Sequence, residues 1–214
     1  MVGNASRAAI ISDRRITGLS ADVIAELVAE LGPLWHERHQ ARLVSRPRKR
    51  VVGAGAKHRL VFVDRLLATL VHLRHATTHG VLACWFGVDR STITRAIGEV
   101  RPLLAERGCT VSPDVRLRTL AEVVDHLGSS GTTGIIDGTE IRVRRPAAGR
   151  KDQRQRKAHS SRRIRVEHGI AHLKNWRALA RHLGRREHIS DTVQAVASLL
   201  SHQQIADLHP TPQT

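Results

Sequence analysis

Residues 79–98 read HGVLACWFGVDRSTITRAIG, and their spacing decides how the chain folds. Two short helices that cross at a sharp turn need a small residue where they touch, a turn residue that accepts an unusual backbone angle, and apolar residues that hold the second helix down. Ala83, Gly87, Val88 and Ile93 meet those needs. Leu82 and Phe86 fall on the inner face of the first helix, Gly87-Val88-Asp89 forms the turn, and Asp89 stands where it can cap the second helix. The second helix then spaces Ile93, Ala96, Ile97 and Val100 toward a core and turns Arg90, Ser91, Thr94 and Arg95 outward. The pattern predicts a helix-turn-helix from about His79 to Gly98. A helix with such an outer face fits the major groove of a duplex, where Arg contacts guanine and hydroxyls contact bases or phosphates. The competing reading is an ordinary helical hairpin with a glycine turn.

Charge favours the first reading. The 214 residues hold 35 Lys and Arg against 19 acids, a formal charge of +16, and a surface of that kind attracts polyanions over a long range. A basic protein of the membrane surface would need an amphipathic helix rich in Trp, Phe or Leu, or a lipidation signal, and neither stands out. No window reaches the ~18 uninterrupted apolar residues of a membrane span, nor does the start of the chain have a signal-peptide layout, so a cytoplasmic, nucleoid-associated protein is expected. Aromatic residues make up 2% with no Tyr, too few for the stacking platforms of RNA-binding sheets; duplex DNA is the expected partner. Cys84 and Cys109 form no Cys-x-x-Cys clip and are expected to be buried or inert thiols.

Working outward, Ser20 can cap a helix carrying Val23, Ile24, Leu27, Val28 and Leu31, which Gly32-Pro33 is expected to interrupt before a second stretch from Trp35 to Val44. Residues 45–59, SRPRKRVVGAGAKHR, read as a basic linker: either a phosphate-tracking arm or a solvated hinge. Leu60 to Leu73 is apolar nearly all round, as expected of a helix buried at the centre of a small bundle on which the helix-turn-helix packs. A boundary is expected near residues 108–115. Ile135-Ile136-Asp137 with the alternating Ile141 and Val143 is the one convincing strand signal. From Ser160 the chain reads as helix, broken at Gly184 before a last helix around Thr192 to Leu208. The organisation expected is N-terminal helices (1–44), linker (45–59), DNA-binding unit (60–112) and a C-terminal unit (113–214), predominantly α with few strands.

Two carboxylates stand apart. Asp137 ends an apolar strand and precedes a Gly, where a divalent cation could reach it. Arg163, Glu167 and Lys174 lie at i, i+4 and i+11, which at about 100° per residue puts them within roughly 40° on one helix face. Cations flanking a metal-binding Glu suit a phosphodiester. His168 and His172 also share a face at i, i+4, but with no Glu between them and no third ligand they favour a DNA-facing or solvated pair over zinc. His72, His75 and His79 carry no assigned role.

Three stretches bring a family into view: RPRKRVVGAGAKHRLVFVDRLLATLVHLRHATTHGVLACWFGVDRSTITRAIGEVRPLL, IIDGTEIRVRRPAAGRK and RKAHSSRRIRVEHGIAHLKNWRALARHL. Together they resemble the DDE transposases of the Harbinger-like, insertion-sequence-five-related group. The resemblance implies a helix-turn-helix that recognises the terminal inverted repeats of an element. It also implies an RNase H-like endonuclease domain in which two Asp and one Glu hold Mg²⁺ or Mn²⁺ for strand cleavage and transfer. Asp137 corresponds to the first Asp and Glu167 to the final Glu, both then catalytic and metal-binding; Arg163 and Lys174 correspond to the supporting Arg-x3-Glu-x6-Lys signature, with Ser160 where an aromatic residue is usual. Homo-oligomers, or association with a full-length transposase, are implied partners beside DNA.

The second Asp has no counterpart. Asp137 and Glu167 are 30 positions apart, whereas completing an RNase H-like sheet needs on the order of 45 to 60 residues. Glu140 lies three positions along the strand, on the opposite face from Asp137. Between Ile141 and Val166 stand eleven Lys or Arg and one acid, Asp152, which reads as a loop residue on a fused junction near 150–154. The expectation is a truncated domain in which catalysis is lost and metal binding is weak.

Overall fold

The computed structural model describes residues 4–45, 60–130, 172–173, 175–180 and 188–209. These residues are mainly helical: α1 (Asn4–Ser12), α2 (Arg14–Thr17), α3 (Ala21–Val44), α4 (Phe62–His75), α5 (His79–Phe86), α6 (Arg90–Glu106), α7 (Leu120–Ser130), α8 (Arg177–Ala180) and α9 (Ile189–Leu208). One antiparallel hairpin, β1 (Cys109–Ser112) and β2 (Val115–Leu117), is the only sheet among them. None of these helices is long and apolar enough to cross a membrane.

The Ser20 hydroxyl accepts from Val23 N–H at 3.5 Å and starts α3, whose buried residues are Val23, Ile24, Leu27 and Leu31. Gly32-Pro33 does not interrupt it: α3 runs unbroken to Val44 with Pro33 inside. A mid-helix proline costs about 3 kcal/mol. Burying a leucine returns about 1.5–3 kcal/mol each, and Leu27 and Leu31 both sit on the inner face ahead of the proline. Beyond it, Trp35 lies against Phe62 with ring centroids 5.8 Å apart and donates from Nε1 to Glu99 at 3.0 Å. The chain is thus held in helical register on both sides.

α4 is the central helix, as its apolar pattern predicts, buried from Asp64 to Val71 and again at Leu73. Its three buried polar residues are accommodated: Asp64 accepts from the Val61 N–H at 3.3 Å, Arg65 donates to Leu60 O at 3.3 Å and to Glu99, and Thr69 donates to Arg65 O at 2.8 Å. On one side of α4 and α6 the core holds Leu66, Leu70, Val100 and Leu104 with α3 and α9; on the other it holds Leu67, Val71, Ile93 and Ile97 with α5. Trp176, fully buried, belongs to the first side and carries the C-terminal residues onto the N-terminal helices. Gly18 makes room for it. A Cβ there would stand 3.0 Å from the indole, and its φ of +82° suits glycine.

The hairpin pairs Cys109 with Leu117, Thr110 with Arg116 and Ser112 with Val115. It docks on α9 through Thr110 N–H donating to Ser201 Oγ at 2.9 Å. Its strands of four and three residues are too short for Thr, Ser and Arg to produce a legible alternation, so sequence reading put only a boundary there. The strand expected over 135–143 and the break expected at Gly184 lie outside the described residues. The last helix, expected from Thr192 to Leu208, is α9.

Candidate nucleic-acid interface

Thr78 starts α5 by accepting from Val81 N–H at 3.4 Å. α5 ends at Gly87, whose φ of +63° lets Val88 N–H turn back to Ala83 O at 3.0 Å. A residue with a Cβ is strained in that left-handed region. Asp89 holds the first position before α6 with an extended backbone, but its side chain makes no capping hydrogen bond; the carboxylate is exposed to solvent and only the backbone carbonyl closes the first turn, accepting from Thr92 N–H at 2.9 Å.

α6 divides as its spacing predicts. Ile93, Ala96, Ile97, Val100, Leu103 and Leu104 are buried, and Arg90, Ser91, Thr94 and Arg95 are exposed. At about 100° per residue the exposed four cover an arc of roughly 140° on the side away from the core. The helix continues to Glu106, two turns past Gly98.

Electrostatics single out this face. Most other arginines among the described residues are neutralised, as Arg14 is by Asp207 at 2.6 Å, Arg15 by Asp13 at 3.0 Å, Arg38 by Glu106, and Arg107 and Arg116 by Glu30. Arg90 and Arg95 have no ion pair among the described residues. Two unneutralised cations and two hydroxyls therefore share one exposed helix face, and the cations are donors of the kind that phosphates and guanine edges accept.

The other side of α6 is clamped. Glu99 accepts from Arg65 at 2.9 Å, from Arg42 at 3.0 Å and from Trp35 Nε1. The Arg65 guanidinium also lies 4.9 Å from the centre of the Trp35 ring. These contacts join α3, α4 and α6, so the exposed face is presented from a fixed base. Sequence reading missed Glu99; the signal was an acid at the edge of an apolar helical stripe.

His79, also unassigned from sequence, opens α5 and reaches across the turn. Its Nδ1 lies 2.9 Å from Thr94 Oγ1, and its ring meets His72 edge-on with centroids 5.0 Å apart. Burial, then the charges of His72, Arg90 and Arg101, push the His79 pKa below its ordinary value. His72 donates from Nδ1 to Thr77 O at 2.9 Å.

Asp137, Glu167, Arg163 and Lys174 lie outside the described residues, as does His168; His172 is exposed. Among the described residues no group of three His, Cys, Asp or Glu is arranged to hold a metal ion. Cys84 is exposed rather than buried, because it sits on the outer face of α5, and Cys109 is half-buried, which pushes its thiol pKa up.

Residues 58–110 match the family model described as the helix-turn-helix of DDE superfamily endonuclease. The match spans α4, α5 and α6 and reaches the start of β1. No curated protein and no solved structure matches the chain.

Proposed function

We propose that the chain is a transposase-lineage protein of the Harbinger-like, insertion-sequence-five-related group that binds the terminal inverted repeats of its element by laying α6 in the major groove. One observation supports this best: Arg90, Ser91, Thr94 and Arg95 are all exposed on one face of α6, with both arginines unpaired among the described residues while most others are neutralised. Arg90 and Arg95 contact base edges or phosphates, and Ser91 and Thr94 supply hydroxyls to the same surface. The basic run at 46–59 adds sequence-independent attraction. Its flanking residues are held beside α6, through Arg42 on Glu99 and through Leu60 in the core with Ile93 and Ala96.

Beyond binding, two outcomes remain, and the short interval between Asp137 and Glu167 favours the second. In the first, Asp137 and Glu167 hold Mg²⁺ or Mn²⁺, which would supply charge stabilisation for phosphodiester cleavage, with Arg163 and Lys174 on the substrate. In the second, the middle of the endonuclease domain has been lost and the chain occupies element ends without cutting them, in competition or association with a full-length transposase. Incubation with terminal-repeat DNA and Mg²⁺ separates them. The second outcome predicts no nicking above background, and cleavage abolished by Asp137→Ala establishes the first.

A further inference from the structure

The contact between α5 and α6 limits what Thr94 can say to a base. A threonine hydroxyl carries one proton and two lone pairs, so alone it donates or accepts with equal ease and discriminates poorly. Here Oγ1 lies 3.0 Å from Arg90 O and 2.9 Å from His79 Nδ1. A carbonyl only accepts, so the hydroxyl proton points back to Arg90 O. For the second contact to be made as well, Nδ1 must carry a proton and donate to Oγ1. The chain His79 Nδ1–H to Thr94 Oγ1–H to Arg90 O uses the hydroxyl's only proton and one of its lone pairs. What remains toward solvent is one acceptor.

We infer that His79 is a positioning residue for base selection, fixing the Thr94 hydroxyl as an acceptor that selects an exocyclic amine, adenine N6 or cytosine N4, in the major groove. This rests on the reading of α6 as a major-groove helix. The partners of His79 are themselves constrained. His72 packs edge-on against its ring from α4, fixing the plane in which Nδ1 points at α6. Arg90 and Arg101 from α6 act on it by charge, and with burial they favour the neutral ring. A neutral ring still donates as the Nδ1–H tautomer, so the arrangement does not depend on protonation. In the major groove, guanine and thymine offer acceptors where adenine and cytosine offer an amine, and a fixed acceptor at Thr94 meets them without a proton.

The test is selection of bound duplexes from a random DNA library by the full chain and by His79→Ala, Thr94→Val and Arg14→Ala variants, each checked for helical content by circular dichroism. The wild type should enrich one base pair at one position by about five-fold or more, and replacing its adenine by purine or its cytosine by 2-pyrimidinone, which removes the exocyclic amine, should abolish that preference. Thr94→Val and His79→Ala should both flatten that same position, and Arg14→Ala, on a residue paired with Asp207 away from α6, should leave it enriched. His79→Ala variants that keep the enrichment while Thr94→Val loses it overturn the role of His79. Binding that is unchanged when purine replaces adenine, or 2-pyrimidinone replaces cytosine, at the Thr94-dependent pair overturns the acceptor assignment. A wild-type chain that enriches no sequence overturns the reading of α6 as a base-reading helix, and this inference with it.

Discussion

Glu99 on α6 and Arg65 on α4 form an ion pair of 2.9 Å in which the two side chains are 7% and 4% exposed. Removing one partner of such a pair leaves a buried charge without compensation, at a cost of about 3–5 kcal/mol. Glu99→Ala should lower the unfolding free energy by that amount in a urea titration. Arg42→Ala, whose side chain is 54% exposed on the same carboxylate, should cost under about 1 kcal/mol. Equal losses from the two variants would show that Glu99 is solvated and that the clamp beneath α6 is not real.

Two left-handed positions give opposite predictions. Ala76 ends α4 at φ +53° and Gly87 ends α5 at φ +63°. Glycine is the favoured residue in that region and a Cβ there costs about 1–2 kcal/mol. Ala76→Gly should therefore raise thermal stability and Gly87→Ala should lower it, each by about 1 kcal/mol. Stabilisation by Gly87→Ala would contradict the turn between the two helices.

Stability should fall in two steps as the pH drops. Arg107 can only donate, so His202 Nδ1 accepts from it, while Nε2–H donates to Glu26 at 2.6 Å; the ring is neutral. Burial, and after it the charge of Arg107, hold the His202 pKa below the ordinary value of 6.5, and His79 is shifted the same way. The unfolded chain takes up these protons first, so stability is present above about pH 6.5 and falls as the pH drops toward the folded values. A second loss follows below pH 4.5, because Arg38 holds Glu106 below that ordinary value. Burial works against the same shift at Glu30, yet hydrogen bonds from Arg116 and Arg107 prevail there. Melting temperatures between about pH 8 and 3 should show both steps, and His202→Gln, which keeps a donor and an acceptor, should shrink the upper one. An upper step unchanged by that substitution would contradict a neutral His202.

How much of this was written in the sequence depends on the range of the interaction. The helix-turn-helix was legible because its determinants are local: Gly87 sets the turn, and Ile93, Ala96, Ile97 and Val100 set the buried stripe within a few turns of helix. Gly32-Pro33 misled because a local breaker was overridden by distant partners, Phe62 and Glu99, which hold Trp35 beyond the proline. Of the two thiols expected to be buried or inert, Cys84 is not buried, because it falls on the outer face of α5. Glu99 and His79 owe their roles to neighbours on other helices, and no spacing rule along one strand of sequence reveals such a contact. The candidate metal carboxylates rest on resemblance, and the interval between them on counting.

The outer face of α6 carries the electrostatic prediction. Arg90→Ala and Arg95→Ala should each weaken duplex binding by about 1–3 kcal/mol where the side chain meets a base. Where it meets a phosphate instead, the variant should reduce the slope of log affinity against log salt by about 0.9. Arg14→Ala, on a residue already paired with Asp207, should leave that slope unchanged.

The central claim is that α6 reads the ends of an element, and competition binding at about 0.15 M salt tests it most directly. Labelled terminal-repeat duplex is displaced by unlabelled repeat or by the same bases shuffled, for the wild type and for an Arg90→Ala, Arg95→Ala double variant. The account predicts that the wild type prefers the repeat by about a thousand-fold or more and that the double variant loses most of that preference while keeping weak, salt-sensitive binding. Equal displacement by repeat and shuffled DNA with the wild-type protein would contradict it.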